Sequence, residues 1–184
     1  MDRKDFHDIF NLDRNKKTIF FATKSPKRFP WAPELLEELA QSIENNLIKK
    51  DSQILVRIHP LYFRYVNGKL VFKKIVDEFQ RIEEKYSFVK INYPQNSSKI
   101  IPFDLPSSEV DLVATILNHS DIMLNMFSTM MLEAAIFDLP IINVCIRDMY
   151  KMNNAIKELS KSKSVKLDFI PQSRKDIMID FHQN

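Results

Sequence analysis

The segment Asn125–Pro140 reads NMFSTMMLEAAIFDLP, and its few polar side chains are spaced for one task. Ser128 or Thr129 stands where a helix takes its N-cap, so the two hydroxyls and the first-turn amides are expected to form an anion site. Glu133 lies five residues after Ser128 and four after Thr129, and is the only charged residue between Asp121 and Asp138. On a helix it shares a face with Thr129. A carboxylate accepts two hydrogen bonds, which suits the paired hydroxyls of a ribose. The same spacing also fits a capped helix whose one charge points to water.

A second constellation is Arg57-Ile58-His59-Pro60. Strand alternation puts Arg57 and His59 on one side, and Pro60 ends the strand directly after the imidazole. His59 there could donate to a phosphate oxygen and ease a leaving group's charge, with Arg57 adding electrostatic help. The plain alternative is a strand-end histidine beside a surface cation. Lys24 and Ser25, after the first strand, are further candidate phosphate donors, or equally a solvated turn.

These positions depend on a series of short apolar runs alternating with amphipathic ones. Strands are expected at Thr18–Thr23, Gln53–Ile58, Phe88–Ile91, Ile122–Met126 and Ile141–Ile146, with a possible edge strand at Val165–Ile170. Helices are expected at Pro33–Ile48, from about Leu70 to Tyr86, and at Glu109–Asn118, Thr129–Phe137 and Asn153–Lys161. The strands are continuously apolar, which implies burial on both faces. The expected fold is therefore α/β: a doubly wound, Rossmann-like, mostly parallel sheet of five or six strands with helices on both faces. Ligands in such sheets sit at the carboxyl ends of the strands, where Lys24, His59 and Ser128 fall. Residues 1–16 read as a linker-like segment, 17–170 as the Rossmann-like domain and 171–184 as a polar tail.

Composition narrows the chemistry. The single glycine, Gly68, excludes glycine-rich phosphate loops, so phosphate donors must be a helix start, hydroxyls and cations. A formal charge of +3 with interleaved signs argues against a dedicated nucleic-acid binder. One cysteine, Cys145, allows no intramolecular disulfide and reads as a buried small hydrophobe in a reducing compartment. His7, His119 and His182 lack ligand spacing, so no metal site is expected. No apolar stretch approaches a membrane span, and Met1–Phe10 has no signal-like core. The chain reads as cytoplasmic, with peripheral membrane association open.

Taken as an ordered set, a strand ending in His-Pro, an apolar strand, Ser-Thr, a glutamate five residues after the serine, Ala-Ala, and a proline before the next strand resemble the donor-binding, carboxy-terminal half of GT-B-type glycosyltransferases. The set is similar especially to related patterns in capsule and surface-polysaccharide enzymes, including sialyl-, Kdo- and polyol-phosphate transferases. The resemblance covers about Lys17 to Val144. It implies that His59, Ser128 and Thr129 contact the donor phosphate, His59 as the catalytic group, and that Glu133 contacts ribose. It implies a base-binding role for the loop Asn92–Ser108, with Pro102, Phe103 and Ser107 as contacts. It implies a nucleotide-sugar substrate, no cofactor or obligatory metal, and an acceptor-binding half in the same or a partner chain. A noncatalytic module of the same fold and a sugar-nucleotide epimerase are the alternatives; the epimerase expects a glycine pair before Glu133 that is absent here.

Overall fold

The computed structural model describes residues 2–94 and 106–144 and the strand 177–179. Six strands make one sheet: β1 (Lys17–Ala22), β2 (Ser52–Arg57), β5 (Val89–Asn92), β6 (Ile122–Asn125), β7 (Ile141–Val144) and β8 (Ile177–Ile179). Their order is β5-β2-β1-β6-β7-β8 and every pairing is parallel. This is the expected doubly wound α/β sheet. The chain runs outward from β1 through β2 to β5, then crosses to β6 on the other side of β1 and continues to β7 and β8. The direction of winding reverses between β1 and β6.

Helices α2 (Ala32–Glu44) and α3 (Lys73–Lys85) cover one face, while α1 (Arg3–Phe10), α4 (Ser107–His119) and α5 (Met130–Ile136) cover the other. Strand alternation divides the residues between them. Ile19, Phe21, Ile54, Val56, Ile122 and Leu124 pack under α2 and α3, whereas Phe20, Ala22, Leu55 and Met123 pack under α1, α4 and α5. Phe20 and Phe21 are both 0% exposed, on opposite faces. Each buried side chain of this size contributes about 1.5–3 kcal/mol, so β1 is fixed in register from both sides.

The amino-terminal segment differs from the linker expected of it. Asp2 and Asp5 cap α1 reciprocally, Asn11 closes it in the left-handed region, and Phe6 is 0% exposed in the core beneath α4. Gln53 ties the following turn to the sheet, accepting from the Asp13 amide and donating to the Asp13 carbonyl, both at 2.9 Å. The helix expected from about Leu70 starts later, at Lys73, because Tyr65–Val66 (β3) and Lys69–Leu70 (β4) form an antiparallel hairpin around Asn67 and Gly68, both at positive φ. That dipeptide is the signature of a tight hairpin turn. At the carboxyl end, β8 lies within the stretch read as a polar tail and adds the edge strand beside β7. Cys145, Ile146, the helix expected at Asn153–Lys161 and the strand expected at Val165–Ile170 lie outside the described residues.

Candidate functional site

The winding reverses between β1 and β6, and open α/β sheets take ligands beyond the carboxyl ends of the strands at such a reversal. Thr23, Lys24 and Ser25 leave β1 on one side, and Phe127, Ser128 and Thr129 leave β6 on the other. The two segments meet: the Lys24 ammonium lies 3.5 Å from the Phe127 carbonyl oxygen, and Lys24 and Ser25 are half-buried.

His59 joins this edge through Thr23. The Thr23 hydroxyl donates to the Arg57 carbonyl at 3.2 Å and accepts the His59 amide at 2.8 Å, fixing the end of β2 to the end of β1. The His59 ring is half-buried, and its Nδ1 accepts the Leu61 amide at 3.2 Å as the cap of a 3-10 turn, Pro60–Phe63. Burial lowers the imidazole pKa below its usual value, so the ring is neutral. With Nδ1 accepting, the neutral ring carries its proton on Nε2. A neutral His59 thus offers its N–H at Nε2.

Arg57 takes a different place from the one expected. It is 5% exposed, and its guanidinium binds Glu109 at 2.6 Å and the Asn92 side-chain carbonyl. The two groups tie β2 to the start of α4 and the end of β5. A guanidinium buried between these partners is a structural cation, neither a surface residue nor one presented to a ligand. Its contribution to the site is its carbonyl, which holds Thr23. The pairing of Arg57 with Glu109 and Asn92 could not be read in the sequence, because these partners are 52 and 35 residues away.

The N-cap of α5 falls on one of the two residues expected there, but without the capping bond from its side chain. That residue is Thr129, in a right-handed conformation. The Ser128 hydroxyl donates instead to the Asn125 side-chain oxygen at 2.6 Å. Asn125 is 0% exposed and donates to Asn143 at 2.8 Å, so its amide orientation is set from β7 and its oxygen faces Ser128. Ser128 Oγ therefore presents lone pairs outward and serves as an acceptor. Phe127, between Asn125 and Ser128, has φ of 49° and is 43% exposed. A bulky residue in the left-handed region marks backbone strain at this turn.

Thr129 and Glu133 are exposed, and Glu133 makes no hydrogen bond or ion pair with any described residue. Ser107 is the exposed first residue of α4, two positions before Glu109. Pro102 and Phe103 lie outside the described residues. Among the described residues no group of three or more His, Cys, Asp or Glu could hold a metal ion, and no helix is long and apolar enough to cross a membrane. The arrangement brings Lys24, Ser25, Thr23, His59, Phe127 and Ser128 to one edge, sets Thr129 and Glu133 at the start of the neighbouring helix, and withdraws Arg57.

No family model matches the chain and no curated protein matches it. Among solved structures it is similar in fold to WaaG, a glycosyltransferase involved in lipopolysaccharide biosynthesis, at 14% identity and a TM-score of 0.46, over 86% of this chain and 40% of that one. It is similar in fold to UDP-GlcNAc 2-epimerase from Methanocaldococcus jannaschii at 15% identity and a TM-score of 0.48, over 90% of this chain and 43% of that one. The chain spans less than half the length of either protein.

Proposed function

We propose that this domain binds a nucleotide-activated sugar or polyol in the crevice between the ends of β1 and β6. The observation that carries the proposal is the meeting of a half-buried lysine, Lys24, with the Phe127–Ser128 turn across the reversal point, with His59 held alongside by Thr23. A cation and a neutral N–H donor at one sheet edge suit the phosphates of a nucleotide. In this reading Lys24, Ser25 and His59 Nε2–H meet the phosphate oxygens, and the exposed Thr129 hydroxyl adds a donor. Ser128 either accepts from a sugar hydroxyl or turns its proton from Asn125 toward phosphate. Glu133 accepts from the ribose hydroxyls.

The reaction proposed is sugar transfer by direct displacement to a surface-polysaccharide type of acceptor, such as a capsule chain, on the cytoplasmic side. Here His59 stabilises the leaving phosphate and no metal is obligatory. The acceptor and its base come from a second half in the same or a partner chain. Calorimetric titration with UDP, CDP, CMP and GDP tests the donor site. Saturable binding of at least one, weakened by Glu133→Ala and by Ser128→Ala, is expected; no binding, or binding indifferent to both, rejects it. Transfer that appears only on adding an acceptor half separates the enzyme from a noncatalytic module of the same fold.

A further inference from the structure

The β3–β4 hairpin plays no part in the donor site and is solvent-exposed over most of its length. Residues 64–69 are all exposed, as are Val71, Lys73 and Lys74. Three of its apolar side chains face water: Tyr65 is 55% exposed, Val66 46% and Val71 48%. Between Leu61 and Val76 there are four cations, Arg64, Lys69, Lys73 and Lys74, and no Asp or Glu; Lys73, on α3, is paired with Asp77 at 2.7 Å.

Register sorts these side chains. Tyr65 pairs with Leu70 and Val66 with Lys69, and the Val71 amide donates to the Arg64 carbonyl at 3.0 Å, extending the ladder by one pair. Directly opposed residues share a face, and residues two apart along a strand share it too. Arg64, Val66, Lys69 and Val71 therefore lie on one face, and Tyr65 and Leu70 on the other. The first face alternates two valines with two cations, all four of them exposed. Phe72 and Leu70 pack against the core at the hairpin's base, so the ribbon is anchored where it leaves the domain.

We infer that this hairpin docks the domain on an anionic lipid bilayer. A face of small β-branched groups between cationic heads fits the interface of such a membrane: the valines enter the headgroup boundary while Arg64 and Lys69 meet lipid phosphates. Tyr65 at the flank is a side chain that favours this depth. Arg64 and Lys69 on this face, with no carboxylate between Leu61 and Val76, set the sign of the partner. The inference does not depend on nucleotide binding.

Vesicle co-sedimentation of the full chain tests it, with phosphatidylcholine vesicles compared with vesicles in which a third of the lipid is phosphatidylglycerol. Binding is expected only to the anionic vesicles and is lost as salt is raised. Each cation near the surface contributes about fivefold, so Arg64→Gln with Lys69→Gln weakens partitioning about 30-fold. Val66→Ser with Val71→Ser weakens it several-fold at the same charge. All four positions are exposed, so thermal unfolding of both variants matches the parent. Equal binding to both vesicle types, no binding, or binding unchanged in both double variants overturns the inference. So does tighter binding to a single- or double-stranded oligonucleotide than to the anionic vesicles, or loss of self-association as the only effect of the variants.

Discussion

Replacing Glu109 with glutamine separates the structural reading of Arg57 from the ligand-binding one. The pair is 2.6 Å apart with side chains 5% and 6% exposed. Removing one charge from a buried pair leaves the other uncompensated and costs about 3–5 kcal/mol. Glutamine keeps the shape and one hydrogen bond, so the lower end of about 3 kcal/mol is expected. For a chain of 184 residues, at roughly 2–4 °C per kcal/mol, the melting temperature falls by about 6–12 °C. Urea unfolding followed by circular dichroism measures it, and the midpoint should fall without a change in slope. The double variant Arg57→Met with Glu109→Leu should recover most of the loss, because apolar side chains of similar volume replace buried ion pairs at little cost. A Glu109→Gln protein within about 0.5 kcal/mol of the parent would refute the reasoning, since that is the range for a surface position. A double variant less stable than the sum of the singles would refute it too.

Other outcomes follow from the same contacts. Phe6→Ala should destabilise the domain by about 3–5 kcal/mol in the same urea assay, because Phe6 is wholly buried under α4; an unchanged midpoint would restore the amino-terminal segment to a linker. Ser128→Ala should cost only about 1 kcal/mol, while Asn125→Ala should cost about 2–4 kcal/mol by stripping partners from both Ser128 and Asn143. Reversal of that order would place the anchor of the turn elsewhere. Ser52 Oγ is buried without a partner among the described residues, so Ser52→Ala should leave stability unchanged or raise it by up to about 1 kcal/mol. The depressed pKa of His59 means that below about pH 6.5 the unfolded chain binds a proton that the folded one resists. Stability conferred by the neutral ring is present above the unfolded pKa and is lost as pH falls toward the folded one, by at most about 1.4 kcal/mol per pH unit. His59→Gln should flatten that part of the profile, and an identical slope in the variant would argue against a neutral buried ring.

The sheet could be read in the sequence because its strands are buried on both faces, so TIFFAT and its counterparts stay apolar without alternation. The edge carrying Lys24, His59 and Ser128 followed from strand ends alone. What escaped was long-range or brief. Arg57 is polar by type, and only the fold brings Glu109 to it. Asn125 reads as an ordinary strand end until β7 supplies Asn143. In the first helix Phe6, Ile9 and Phe10 form a short amphipathic piece, but only Phe6 is wholly buried, too little to mark a packed element, although its Asp2–Asp5 capping box was available. The hairpin lies mostly in residues 61–69, for which no element was expected, and its last residue was counted into the helix expected from about Leu70, although the Asn67–Gly68 turn was available.

The central claim is that ligand binds beyond the ends of β1 and β6, and amide chemical-shift mapping during nucleotide titration addresses it most directly. With the nucleotide that calorimetry selects, the amides of Lys24, Ser25, His59, Phe127 and Ser128 should shift and saturate together. Those at the opposite end of the same strands, Lys17, Ser52 and Asp121, should stay in place. Shifts confined to that opposite edge, or none at the named five with ligand in excess, would contradict the account.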